Sequence, residues 1–335
     1  NWGTIMKPLP GTALSAALLL ASSQLALSAD QIRILAPTWL GFAPVHIASD
    51  LGCFTAKGLD VSIKFEDDLT NVMAAMARGD IEMQMRSVGE YQGRPRDAST
   101  PGIIIGTIDE SVGGDGVITD DKIKSVADLK GKVVAAEPNI PSRLLLQMEL
   151  KQAGLSLKDL QIKDIATADT GAVFVDESIA AIATYEPFMS QALKASTRTG
   201  ARMLISSKDH RGIIIDAIIA RNDDFKANPD KYAKFLGCIY ETVDFIKAEP
   251  EKFADMASKH FGLTPAEVTD IVNSSLSYTT LAESLAYMGK PGEKGTLHGI
   301  FDTVMDLNLE NGAADNRLVA ADQIDSSAIN KIPAK

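Results

Sequence analysis

The side chains in this sequence that could do chemistry are mostly carboxylates, with one indole among them. Asp109 and Asp115 flank a glycine-rich stretch, Glu186 ends an apolar run, and Asp216 interrupts Ile213-Ile214-Ile215 and Ala217-Ile218. A carboxylate set into an apolar strand is destabilising unless it is paired or serves a ligand. The structural alternative for Glu186 is a salt bridge within its own lobe; for Asp216 it is a hydrogen bond that holds the backbone. Trp39, between Pro37 and Gly41, offers a flat apolar wall and one N–H donor, which suits a planar or cationic solute, or else packs as core. In the stretch Met85 to Tyr91, expected to be a loop, Ser87 can donate its hydroxyl to a ligand oxygen or cap a following helix, and Glu90 and Tyr91 stand close by. Asn139 and Ile140 precede Pro141, which suits a first helical position, and free amides at such a terminus attract anions or carbonyl oxygens. Arg143 can pair with a ligand acid or with a surface carboxylate. Groups of these kinds hold a small polar molecule by charge, hydrogen bonding and stacking.

Signs of turnover are absent. The four histidines (His46, His210, His260, His298) are scattered, and no Gly-x-Ser-x-Gly motif offers a nucleophile. No Cys-x-x-Cys or His-x-x-x-His spacing suggests a metal, and no cofactor is expected. The two cysteines, Cys53 and Cys238, are too few for a disulfide scaffold; buried free thiols are the expected state, with pairing open to them in an oxidising compartment. A net charge of -11 excludes a nucleic-acid partner, which needs clustered Lys and Arg.

The elements that must position these residues read as α/β. The 335 residues, 45% hydrophobic and 23% charged, suffice for two lobes with real cores. From Met6 the chain has a basic start at Lys7, an apolar run from Ala13 to Leu20 and a small-residue site at Ala26-Leu27-Ser28-Ala29. Residues 6–29 are therefore expected to be a cleaved signal peptide, which places the remainder outside the cytoplasm, in the periplasm. Strands are predicted at 32–36, 61–65, 103–105, 116–119, 132–136, 161–165 and 213–220, and helices at 43–51, 71–78 and 141–153. The last third is helical, with Thr264-Pro265-Ala266-Glu267 as a helix start. A compact α/β region flanked by the strands near 116 and 215 reads as one lobe inserted within another: lobe 1 at 30–116 and 215–335, lobe 2 at 117–214.

Several phrases carry a family resemblance. Thr38-Trp39-Leu40-Gly41-Phe42-Ala43-Pro44, Leu51-Gly52-Cys53-Phe54 and Lys57-Gly58-Leu59-Asp60-Val61 resemble the opening of the nitrate/sulfonate/taurine family of periplasmic binding proteins. Met76-Ala77-Arg78-Gly79-Asp80-Ile81-Glu82 is similar to its G-D-hydrophobic stretch, Ser125 to Gly131 to its S-V-x-D-L-K-G, and Ala183 to Phe188 to its W/Y-E-P-F. The resemblance runs from about Ile32 to Lys259, with departures at Cys53, where an aromatic is usual, and at Arg94-Pro95-Arg96-Asp97. It implies a type II periplasmic binding protein fold: two α/β lobes joined by a two-strand hinge, closing on a ligand, with Trp39 in the cleft. It further implies a monomer that hands a small solute to the membrane permease of an ABC importer.

The cargo divides the possibilities. Asp109 to Ile118 is similar to the D-x-S-x-G-x-D-G-I-V segment of a subgroup associated with guanidine-like solutes. Four acids with few placed bases favour an amine-bearing or guanidine-like cation over a plain anion. Taurine, an alkylsulfonate or nitrate are the alternatives within the family. From another class, thiamine-pyrimidine enzymes share the fold, but their cysteine-rich motif is missing here. A sensory ligand-binding domain would need a separate signalling chain.

Overall fold

The computed structural model describes Gly3 and residues 30–333; the expected signal peptide at 6–29 lies outside the described residues. Strands β1 (Asp30–Ala36), β2 (Leu59–Phe65), β3 (Met83–Ser87) and β4 (Ile103–Ser111) come first. Next are β5 (Asp115–Thr119), β6 (Val133–Ala136), β7 (Gln161–Asp164), β8 (Ile179–Tyr185) and β9 (Arg202–Ser206), and then β10 (Ile215–Ala220) and β11 (Leu276–Tyr278). They form two sheets, ordered β11-β4-β10-β3-β1-β2 and β7-β6-β8-β5-β9.

Each sheet is mixed. β1 runs parallel to β2 and β3, while β10 runs antiparallel to β3 and β4. In the second sheet β6 is parallel to β7 and β8, and β5 is antiparallel to β8 and β9. All six residues of β10 are buried, because helices cover both faces; this is why its sequence is a nearly unbroken apolar run and not an alternating one. The second sheet likewise has one apolar cluster on each face, around Val117, Val134 and Leu145 on one and around Ile118, Phe174 and Ile182 on the other.

The chain crosses to the second sheet through residues 112–114 and returns through 207–214, and the two connections lie side by side. The amide of Ser111 donates to the Ile214 carbonyl at 3.0 Å. Ser207 Oγ accepts from the amides of Gly113 (2.7 Å) and Asp115 (3.3 Å) and lies 2.9 Å from Ser111 Oγ. One buried serine therefore binds the outgoing connection to the returning one.

Two sequence expectations change. The stretch from Met85 to Tyr91, expected as a loop, is the end of β3 followed by the short Val88–Gln92 helix. Polar Gln84 and Arg86 disguise a strand whose five residues are all buried between β1 and β10. The cysteines are not free: Cys53 and Cys238 form a disulfide with Cα atoms 5.8 Å apart, 185 residues apart in sequence. It joins the Cys53–Ala56 turn to the Pro229–Ala248 helix, where Phe54 stacks on Phe235 and Lys57 pairs with Glu241 at 2.7 Å. Two cysteines so distant in sequence give no local signal of the packing that brings them together.

Closing a loop this long stabilises by restricting the unfolded chain, typically by about 2–4 kcal/mol. The Cys53→Ala/Cys238→Ala double variant is therefore expected to unfold at lower denaturant than the wild type by that amount. Thiol titration of the unreduced, unfolded protein checks the bond itself, and two free thiols there would contradict it.

Candidate functional site

The carboxyl ends of parallel strands are where open α/β sheets hold ligands, because the loops beyond them lead into helix N-termini. Here the ends of β1, β3 and β8 converge with the starts of β5 and β10 around a small cavity, about 20 Å³, between the two sheets. Pro37, Trp39, Phe42, Arg86, Glu90 and Asp216 line it from the first sheet's side, and Asp115, Pro141 and Tyr185 from the second. Trp39 and Tyr185 meet edge to face, with centroids 6.5 Å apart and planes at 87°, forming two perpendicular aromatic walls.

The indole is fixed by close approach. Trp39 Nε1 donates to Asp109 Oδ1 at 3.1 Å. A Cβ at Gly41 would lie 2.1 Å from that nitrogen and 2.3 Å from Asp109 Oδ2; one at Gly114 would lie 2.3 Å from the ring's Cη2. Only glycine leaves room for the ring at both points.

Behind the indole sits an unusual acid cluster. Asp109 on β4 faces Asp216 on β10 directly across the ladder, with the two carboxyls in hydrogen-bonding contact. Asp109 is wholly buried and its Oδ2 has no N–H or hydroxyl donor. Burial raises the pKa of both groups, and the Asp109 charge raises that of Asp216 further. Burial also pushes Asp115 up to about 7, against weaker hydrogen bonds from Ser111 and Ser142. Among the described residues none of these three acids is ion-paired.

Arg86 is the base that sequence reasoning passed over. Its guanidinium is buried, donates to Glu90 Oε1 at 3.0 Å and reaches the carbonyls of Glu66 (3.2 Å) and Asp67 (3.0 Å). Burial pulls its pKa down, but the Glu90 carboxylate outweighs that and keeps it above the usual value. Arg86 and Glu90 thus neutralise one another, leaving the charge of the cavity to the aspartates.

The expected residues divide. Trp39, Glu90, Asp115 and Asp216 line the cavity, while Asp109 lies one layer behind, against Trp39 and Asp216. Ser87 does not reach it; its hydroxyl accepts from the Glu90 amide at 3.2 Å and donates to Glu90 Oε2 at 2.9 Å, so it caps a helix and orients Glu90. Asn139, with a left-handed φ of 63°, donates to the Glu90 carbonyl at 3.2 Å and borders a smaller neighbouring cavity. Glu186 makes no salt bridge; it turns back to accept from Ser190 Oγ (2.5 Å) and the Ser190 amide (3.0 Å). Tyr91 donates to the Gly102 carbonyl inside the core, and Arg143 pairs with Asp164 at 3.0 Å. Tyr185, Phe42 and Arg86 also line the cavity and were not singled out from the sequence.

Two mixed sheets linked by paired crossings, with a small aromatic and acidic cavity between them, match the architecture of the periplasmic binding proteins. Two solved structures share it. The periplasmic aliphatic sulphonate binding protein SsuA from Escherichia coli is 19% identical with a TM-score of 0.71, covering 89% of this chain and 92% of that one. The alkanesulfonate-binding protein SsuA from Xanthomonas axonopodis pv. citri, bound to MOPS, is 16% identical with a TM-score of 0.72, covering 89% and 98%. By sequence, a Brucella abortus (strain 2308) protein named as a binding protein is 26% identical over 275 residues, 81% of this chain and 83% of that one. The NMT1/THI5-like family matches residues 39–253, well over half of the chain, and the protein belongs to that family.

The raised Asp115 pKa has a definite sign. Between the ordinary value of 3.8 and about 7 the folded protein keeps a proton that the unfolded chain has released, so this group's contribution to stability falls as pH rises through that window. The slope is at most about 1.4 kcal/mol per pH unit, and it vanishes above the window. Asp115→Asn is expected to gain stability relative to the wild type between pH 5 and pH 8. Denaturant titrations at the two pH values check this, and a difference that does not change with pH contradicts it.

Proposed function

We propose that this protein captures a small cationic solute, of the guanidinium or primary-amine class, between its lobes outside the cytoplasm and delivers it to the permease of an ABC importer. One observation carries the charge of the cargo: three buried carboxyls, Asp109, Asp115 and Asp216, gather at an aromatic cavity with no cationic side chain paired to them. A carboxylate in such a place is destabilising until a cation arrives. Trp39, Phe42 and Tyr185 supply π-faces that attract a cation and reject a hydrated anion. The two solved relatives are sulfonate-binding proteins, and a sulfonate set against these acids, once ionised, would meet like charge.

The lobes, one built on residues 30–116 with 215–335 and the other on 117–214, are proposed to swing about the connections at 112–114 and 207–214. Nothing in the cavity calls for turnover: no nucleophile stands beside a base there, and the histidines lie elsewhere. Binding and release suffice for the role.

A thermal-shift series with guanidinium, methylammonium, taurine, an alkylsulfonate and nitrate tests the reading. A ligand at about a hundred times its Kd stabilises the folded state by about 2.7 kcal/mol. Guanidinium or methylammonium is expected to stabilise and nitrate to leave the midpoint unchanged. Stabilisation by the anions alone sinks the proposal. Trp39→Phe, which keeps a ring but loses the N–H to Asp109, is expected to weaken cation binding roughly threefold to thirtyfold, in line with about 0.5–2 kcal/mol for the lost contacts.

A further inference from the structure

The same acids raise a question of charge balance that the cargo alone does not answer. Asp109 and Asp216 are register partners on adjacent strands, both buried, with carboxyls in contact. Two carboxylates at that separation in a dry site cannot both be ionised, so one proton must lie between them. The groups packed around the pair offer it no alternative. Tyr278, opposite Asp109 on β11, donates its hydroxyl to the Leu40 carbonyl at 2.5 Å. Trp39 satisfies Asp109 Oδ1 and leaves Oδ2 without an N–H or hydroxyl donor. Ser87, opposite Asp216 on β3, is engaged with Glu90, and Glu90 with Arg86. Glu110 is held by Arg211 at 3.0 Å, and Asp115, once ionised, adds only further negative charge.

We propose that capture is an exchange: the Asp109–Asp216 pair holds one proton in the empty site, and the arriving solute cation takes its place while the proton leaves to solvent. This rests on the cation reading above and adds a regulation to it. The site's net charge is the same before and after, so capture adds no further charge to the buried site. Affinity for a permanently charged cation then rises with pH, up to tenfold per unit, across the range in which the pair gives up its proton. The directions of the Asp109 and Asp216 shifts agree, since burial raises both above the ordinary carboxylate range.

Guanidinium is the probe, because its own charge is constant from pH 5 to pH 9. Calorimetric titration in buffers of different ionisation enthalpy counts the protons released. The expected result is release approaching one proton per guanidinium, with affinity rising with pH. Asp216→Asn is expected to abolish both the release and the slope, and Asp109→Asn, which removes the other half of the pair, is expected to do the same. Binding that is independent of pH and releases no proton overturns the exchange and leaves the cation reading standing. Failure to bind guanidinium or methylammonium at any pH overturns the cation reading itself. Should Asp216→Asn bind too weakly to measure, Asp115→Asn decides: loss of the release there assigns the proton to Asp115 and overturns the pair.

Discussion

Burying a carboxyl group without a cationic partner is among the more destabilising things a fold can do, at several kcal/mol per ion if it stays charged. This protein does it three times at one junction, and much of the surrounding structure serves to hold those groups in place. Asp109 and Asp216 sit on neighbouring central strands, β4 and β10, whose apolar flanks are packed on both faces. The backbone there cannot yield to let water in. Asp115 begins the first strand of the second sheet, so the third acid is brought to the other two only by the crossing at 112–114. Gly41 and Gly114 let the Trp39 ring close over the cluster from the solvent side.

Against this, the Arg86–Glu90 pair is conservative. It buries two charges together, satisfies them with one another and with backbone carbonyls, and uses Ser87 to aim the acid. A self-compensated pair contributes shape and hydrogen-bond direction to the cavity wall without changing its charge. The contrast between a compensated pair on one side and uncompensated aspartates on the other is what the proposed preference of sign rests on. The fold is shared with sulfonate-binding proteins, so that preference belongs to the side chains and not to the architecture.

The architecture was readable because apolar runs and helix starts are local signals. Thr264 and Glu267 cap the Pro265–Ser275 helix as their spacing suggests. Asp216 stood out for the same local reason, as one acid in an isoleucine-rich strand. What failed to show was set by distant partners. Ser87 turned out to serve Glu90, Glu186 to serve Ser190, and Arg86 to balance Glu90 inside a strand that its polarity concealed. The disulfide was hidden for a related reason, since only the packing of the Pro229–Ala248 helix on the Cys53–Ala56 turn brings the thiols together. Residue type announces that a group needs a partner; only tertiary packing says which.

The place of β10 in the first sheet bears on how the molecule comes into being. β10 lies between β3 and β4, yet it follows the whole second sheet in the chain. As the polypeptide emerges in sequence order, the first sheet is left with a gap through its middle until about residue 220 has appeared. The pairing of Asp109 with Asp216 is therefore among the late contacts, spanning more than a hundred intervening residues. The acid pair beside the cavity is therefore assembled only after the whole second sheet has been made.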